Sequence, residues 1–425
     1  MPQVMINNLI IVLSVMSELY FNKFKELEEQ ISLCARCGMC QSVCPLYNQT
    51  SRESDVARGK IAIIDSAIKG NLSPNKSVLT LINNCLLCGA CAVNCPNKVS
   101  TLEIFLKART YISSYTGLSL IKKGMLRGIL SNYAFFDLLL EWTAKLEHLF
   151  IKSQNPILYN RPFPKLSKTP FHKALPLLKN TRRGPKIALF IGCLIDKFFP
   201  EIAYSTIKSL THHDVSIFLP KNQGCCGIPA LSLGDITAFN RLVNHNLKLF
   251  AEEDFDFLIT SCATCTFTIK KIWPIISKDS NSIKLSSKTL DINEFFTLNF
   301  NIDNLSYKRD KIKVTYHDPC HLKKSLKIFK EPRKIIEASD GYKLVEMQEP
   351  DSCCGQGGSF GLTQYVLSQK IGSKKVQNIK EAGCSTLATS CPACMIQIKN
   401  LLNNNNLSHI DIKHPIEIYA NSIQK

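Results

Sequence analysis

The chain has 425 residues, 45% of them hydrophobic and 20% charged, proportions that exclude a disordered or membrane-embedded protein and fit a globular one. Its formal charge of +18 does not signal nucleic-acid binding, because Lys and Arg are spread along the whole length and no recognition motif accompanies them. A basic surface suits an anionic membrane face or an acidic partner instead.

An apolar run opens the chain (Leu9, Ile10, Ile11, Val12, Leu13) without a basic flank or a small-residue cleavage site. It is far short of the ~20 apolar residues that span a bilayer. It reads either as a short amphipathic extension or as sequence upstream of initiation near Met16; helical periodicity begins with Leu19, Phe21, Phe24 and Leu27. The expected location is cytoplasmic, either free or peripheral on the inner face of the membrane. In that reducing compartment the 19 cysteines, which fall in tight clusters, signal metal more than disulfide. Ligation would deprotonate them and lower the net charge.

Residues 18–110 are predicted to form an α-helical two-cluster ferredoxin domain. They carry two copies of one run: Cys34-x-x-Cys37-x-x-Cys40-x-x-x-Cys44-Pro45 and Cys85-x-x-Cys88-x-x-Cys91-x-x-x-Cys95-Pro96. A [4Fe-4S] cubane needs four tetrahedral thiolates. Cysteines three apart on a tight loop reach three corners, and the proline turns the chain away from the fourth. In two-cluster ferredoxins with this run the fourth cysteine serves the other cluster. By that analogy one cubane takes Cys34, Cys37, Cys40 and Cys95, and the other takes Cys85, Cys88, Cys91 and Cys44. Zinc is the competing occupant, but zinc sites show paired knuckles rather than a triple followed by Cys-Pro. The segment from Val56 to Ile68 reads as helix. Its Arg58 and Lys60, with Arg52 before it, either lie near the clusters and raise their potentials or face solvent.

Residues 111–185 lack cysteine and form a helical connector and linker. Leu118, Leu120, Ile121, Met125, Leu126, Ile129 and Leu130 recur with helical period, and Pro156, Pro162, Pro164, Pro170, Pro176 and Pro185 follow.

Beyond Pro185 the chain repeats itself. Lys186 to Cys193 matches Lys313 to Cys320, Cys225-Cys226-Gly227 matches Cys353-Cys354-Gly355, and Thr260 to Cys265 matches Thr389 to Cys394. Two modules, 186–300 and 310–420, are therefore expected. In the first, Ile187–Ile191, Val215–Leu219 and Phe257–Thr260 read as strands, with Glu201–Leu210 and Ile236–Ala251 as helices. Cysteines follow each strand, so an open α/β sheet would gather five of them on one rim. Five thiols exceed the four of a single zinc, and a glycine after each adjacent pair admits a close approach to an inorganic core. An iron–sulfur cluster in each module is the reading, with zinc or a vicinal disulfide as alternatives. Cys384 aligns with Phe255 and reads as core packing. His317 and His321 flank Cys320; no acyl-transfer signature accompanies them, and supporting roles around the ligands are expected. Gly355, Gly357, Gly358 and Gly361 follow a ligand pair rather than a bare strand, which argues against a dinucleotide loop.

Two ferredoxin runs followed by two CCG modules resemble the iron–sulfur subunits of flavin-linked dehydrogenases: the glycolate oxidase iron–sulfur subunit family, with relatives in anaerobic glycerol-3-phosphate dehydrogenase and heterodisulfide reductase. The stretch Cys34-Ala-Arg-Cys37-Gly38-Met-Cys40-Gln-Ser-Val-Cys44-Pro45-Leu46-Tyr47, with Arg58-Gly59-Lys60-Ile61 downstream, is most similar to the glycolate oxidase subunit. The final C-x-x-C of each module, often degraded in that subunit, is intact here as in heterodisulfide reductase, whose modules hold non-cubane four-iron clusters. The resemblance implies the ligand sets Cys193, Cys225, Cys226, Cys262, Cys265 and Cys320, Cys353, Cys354, Cys391, Cys394. It also implies an electron-transfer subunit of a glycolate or lactate dehydrogenase. An FAD-containing dehydrogenase subunit would be its partner and a quinone or membrane-side group its acceptor; this chain carries no flavin fingerprint of its own. The alternatives are a heterodisulfide-reductase-like catalytic subunit and the iron–sulfur subunit of anaerobic glycerol-3-phosphate dehydrogenase. No catalytic residue is assigned.

Overall fold

The computed structural model describes residues 25–132, 135, 137, 166–176, 178, 184–302 and 312–423. The apolar run at residues 9–13, the periodicity from Leu19 to Phe24 and the prolines at 156, 162 and 164 lie outside them. The described residues divide into two compact units. One comprises those up to Lys123 together with Pro229–Ile236; the other comprises Gly124–Ile228 and Thr237–Lys425.

The first unit is helical. Helix α1 (Ala57–Ile68) buries Ile61, Ile64, Ala67 and Ile68 along one stripe. Helix α2 (Lys76–Asn83) starts at Asn75, whose side chain accepts the Val78 amide at 3.0 Å, and it buries Val78 and Ile82. Helix α3 (Thr101–Thr116) buries Ile104, Phe105, Ala108 and Ile112. The first cysteine run precedes α1, and the second loops between α2 and α3. Arg109 on α3 is 1% exposed and donates to the carbonyls of Ile82, Asn83, Cys85 and Ser232 at 2.8–3.3 Å. A buried guanidinium is tolerated only when its fork is filled, and here the filling carbonyls tie down the loop entering the second run.

The second unit holds two four-stranded parallel sheets. In the first module β1 (Lys186–Phe190), β2 (Ser216–Phe218), β3 (Phe257–Thr260) and β4 (Thr289–Asp291) lie in the order β2-β1-β3-β4. Helix α4 (Pro200–His212) crosses from β1 to β2, α5 (Ile236–Phe250) precedes β3, and α6 (Ile292–Asn299) follows β4. In the second module β5 (Ile312–Tyr316), β6 (Tyr342–Leu344), β7 (Thr386–Ala388) and β8 (Asp411–Lys413) repeat the order as β6-β5-β7-β8. Its helices are α7 (Glu331–Glu337), α8 (Tyr365–Glu381), α9 (Pro392–Asn404) and α10 (Pro415–Ser422).

The α/β expectation holds, with helix limits moving by one or two residues. The fourth strand of each sheet was not anticipated: Thr-Leu-Asp and Asp-Ile-Lys are three residues long and only partly apolar. They form because β3 and β7 offer unpaired ladders to them. Residues 118–130, expected as one helix, form a short α-turn (Leu120–Lys123) and a π-helical turn (Gly124–Leu130).

The modules pack on each other. Lys208 on α4 donates to the Ala420 carbonyl on α10 at 2.6 Å, and His213 meets the Tyr419 hydroxyl at 2.8 Å. The Ala263 amide donates to Ser390 O at 2.9 Å, joining the two C-x-x-C turns.

Candidate metal centres

Each ferredoxin run turns through the same backbone. Arg36 and Gly38 in the first, Leu87 and Gly89 in the second, all adopt left-handed φ between +53° and +88°. That curl aims amide groups inward: Leu87 N lies 3.4 Å from Cys85 Sγ. Two small cavities result. One is lined by Cys34, Cys37, Cys40 and Cys95, the other by Cys44, Cys85 and Cys88, and Cys91 borders both. Each cavity thus draws thiols from both runs.

Burial pushes the Cys44 thiol up to about 11 and raises Cys40 and Cys91 as well. Thiols held neutral by desolvation become good ligands once a cationic core replaces their protons. At least four sulfurs per cavity, with all nineteen cysteines free of disulfides, fit an iron–sulfur core. Lys60 is 1% exposed, lines the second cavity and donates to Ser54 O and Leu81 O at 2.7 Å. Of the two readings of this helix face, the solvated one fails at Lys60. Arg58 lines the first cavity, reaching Arg36 O at 3.3 Å and pairing with Glu53; Arg52 is exposed.

In the first module the sheet edge gathers all five sulfurs. Cys193 follows β1, Cys225 and Cys226 follow β2, and Cys262 and Cys265 follow β3. Cys193 and Cys225 are 3.5 Å apart. Gly192 at φ +76° is required, since a Cβ there would come within 3.0 Å of Cys265 Sγ. The surroundings are apolar: a Cβ on Gly227 would strike Phe239, and Trp273 Nε1 donates to Cys226 O at 2.9 Å. Asn246 accepts the Gly224 amide and donates to Cys225 O at 2.9 and 3.0 Å.

The second module brings Cys320, Cys353, Cys354, Cys391 and Cys394 to the same edge, with Cys354 and Cys394 3.6 Å apart. Here the shell is polar. Lys375, fully buried on α8, donates to Glu349 O and Pro350 O at 2.9 Å, and burial pushes its ammonium down to about 8. Ser368 donates to Gly355 O at 2.9 Å and receives Gln397 at 3.0 Å. His317 is buried beside Cys354 and Cys394.

The thiol sites meet at the module boundary, where Cys262 and Cys391 share a hydrogen bond and Thr264 Oγ1 lies 3.5 Å from Cys391 Sγ. Hydrogen bonds from neighbouring thiols hold Cys226, Cys354 and Cys391 well below an ordinary thiol, so each site favours thiolate at one or two positions. His321 stacks on Phe267 at 4.5 Å and faces Thr264 at 3.4 Å, which gives it a packing role across the boundary. Cys384 sits in the core among Ile379, Leu387 and Leu402, as its alignment with Phe255 suggests.

Sequence reasoning passed over Lys375, although its place in the row Ile371–Lys375–Ile379 was a signal: a lysine flanked at i±4 by buried residues shares their face. It also missed a cavity of about 350 Å³ bordered by Cys193, Cys225, Phe171 and Leu219. One wall is an ionic cluster: Lys197, 4% exposed, pairs with Asp137 and Asp196, and His172 Nδ1 lies 3.0 Å from Asp196. These residues are scattered in sequence, and no local pattern announces them.

Comparison with known proteins agrees with this architecture. Residues 30–99 match the 4Fe-4S dicluster domain, and residues 187–270 and 314–399 match the cysteine-rich domain named CCG. An uncharacterized iron–sulfur protein of Methanococcus maripaludis is 29% identical over 392 residues, covering 91% of this chain and 70% of that protein. A subunit of the fumarate reductase (CoM/CoB) of Methanothermobacter marburgensis is 33% identical over 235 residues, 55% of this chain and 46% of that one, so the match spans under half of that relative. The probable glycolate oxidase iron–sulfur subunit of Bacillus subtilis is 26% identical over 421 residues, 91% and 93% of the two chains. Among the described residues no helix is long and apolar enough to cross a membrane. The chain is an iron–sulfur protein of the type in which a 4Fe-4S dicluster domain precedes two cysteine-rich CCG domains, as in the iron–sulfur subunits that it resembles.

Proposed function

We propose that this chain is the electron-transfer subunit of a flavin-dependent 2-hydroxyacid dehydrogenase, serving glycolate or lactate oxidation by an FAD-containing partner and delivering electrons to a quinone-type acceptor. The carrying observation is the pair of thiol-lined cavities, each drawing cysteines from both runs. Cys34, Cys37, Cys40 and Cys95 would hold one cubane, and Cys85, Cys88, Cys91 and Cys44 the other. The five cysteines of each CCG module would hold one further cluster. When bound, these groups supply one-electron storage along the chain.

The protein's own residues set the conditions for that storage. Leu86, Leu102 and Phe105 keep water from the second cavity, while Lys60 places a buried positive charge beside it. Arg109 fixes the loop that presents Cys85.

The test mixes the anaerobically prepared chain with its flavoprotein partner. Glycolate or lactate should bleach the visible absorption of this chain, and a quinone should restore it. No bleaching by either acid with an active partner would contradict the proposal. A second reading, a catalytic disulfide reductase, is favoured by the cavity of about 350 Å³ beside Cys193 and Cys225, which has room for a small substrate. Disulfide turnover by the isolated chain would establish it in place of the first.

A further inference from the structure

The cysteine site of the second module includes a group that is not sulfur. His317, directly after β5, is 2% exposed, and one of its ring nitrogens lies within 4.8 Å of the sulfurs of both Cys354 and Cys394. Nδ1 faces the Pro350 carbonyl oxygen at 3.2 Å. A carbonyl only accepts, so Nδ1 carries a proton in this contact and Nε2 is the ring nitrogen left to bind. Nε2 is buried and has no hydrogen-bond partner among the described residues.

The anchor is itself held. Pro350 O also receives Lys375 Nζ and the Asp318 amide, each at 2.9 Å, so the ring is oriented by fixed backbone rather than by a loose side chain. An imidazole whose Nδ1–H is tied to a carbonyl, with Nε2 unpartnered and a ring nitrogen near two thiols, is arranged as a metal-ligating histidine commonly is. The duplication supplies the contrast. Phe190 stands at the matching position of the first module, packed against Phe250 and Trp273, and offers no nitrogen.

We propose that His317 Nε2 is a nitrogen ligand to the iron–sulfur group of the second module, so that the two modules hold unlike centres, thiolate-only in the first and mixed thiolate–imidazole in the second. This rests on the reading that each module holds iron. The modules carry the same five cysteines, so His317 adds a neutral donor in place of Phe190; exchanging that donor for an anionic thiolate, as in His317→Cys, adds negative charge around iron and lowers the reduction potential of that centre.

Pulsed electron paramagnetic resonance on the reduced holoprotein tests it. Histidine carrying the heavy nitrogen isotope is compared with unlabelled protein, and the variants His317→Phe, which copies the first module, and His317→Cys are prepared alongside. Iron lost in Cys354→Ala defines the second module's share. The expected result is one histidine coupling of ligand strength in the native protein, shifted by the isotope and absent from both variants. His317→Cys should keep its iron and lower the midpoint potential of that centre alone. A native spectrum with only the weak couplings of peptide N–H groups, in a second module that retains iron, overturns the ligand assignment and leaves the cofactor reading standing. A second module without iron overturns both. The isotope comparison needs no variant, so it stands even where a substitution prevents folding.

Discussion

The two CCG modules share a sheet order and a cysteine pattern but not the matter around the sulfurs. In the first, Phe190, Phe239 and Trp273 press on the site, and Asn246 braces the cysteine loop with neutral hydrogen bonds. In the second, Ser368 stands where the repeat has Phe239, Lys375 where it has Asn246, and His317 where it has Phe190. The repeat keeps the cysteine positions, as the proposed ligation requires. The residues around them differ, and under that proposal the difference would tune charge. The lesson is that equal motifs need not mean equal potentials.

The severest test of that contrast removes one sulfur from each module. Cys226→Ala and Cys354→Ala should each lose about four irons per chain, and the residual spectra should differ from one another. Identical residual spectra would break the comparison at its root.

A buried cation facing carbonyls also occurs outside the modules, which asks whether such a cation serves the fold or the centre. Arg109→Ala leaves the carbonyls of Ile82, Asn83, Cys85 and Ser232 without their donor and should destabilise the chain by several kcal/mol, at about 1 kcal/mol or more per orphaned group. Thermal unfolding of the holoprotein measures this, and a loss below about 1 kcal/mol would deny Arg109 its clamping role.

For Lys375 the expected effect falls on the centre. Lys375→Met keeps the side chain's bulk but removes its charge, and the midpoint potential of the second-module centre should fall on the order of 100 mV, as for a unit charge several ångströms away at an effective dielectric constant of about 20. Redox titration should find the first-module centre unmoved. An equal shift at both centres would show that the charge is not local.

The smallest effect concerns the caps that open the helices after the fourth strands. Asp291 caps α6 and His414 caps α10, both fully buried; burial pushes the Asp291 carboxyl up to about 7 and the His414 imidazole down to about 3. An acid whose folded value is raised loses stability as pH climbs from its ordinary 3.8 toward 7, because the unfolded chain releases the proton first. Asp291→Asn should therefore flatten the decline in melting temperature between pH 4 and 7. An unchanged slope would mean that Asp291 is charged in the folded protein.

How much of this was legible in advance depends on how local each signal is. The cysteine runs, the duplicated module and the strands Lys186–Phe190 and Phe257–Thr260 announce themselves through spacing and continuous apolar stretches. Cys384 was readable as packing because the repeat puts Phe255 opposite it. The fourth strands were hidden, since three residues carry no periodicity and pair only because a neighbouring ladder is open. Lys60 and Lys375 look like solvated charges until their i±4 neighbours are considered, Val56 and Ile64 for one, Ile371 and Ile379 for the other. The role of His317 needed its partners: Pro350 lies 33 residues away and Cys394 is further still, so only the folded chain brings them together.

Iron and acid-labile sulfide, counted on the full chain prepared without air, test the account most directly. Two cubanes and two four-iron CCG clusters require about sixteen irons per chain with matching sulfide. Stoichiometric zinc with little iron, or about eight irons left unchanged by Cys354→Ala, would contradict it.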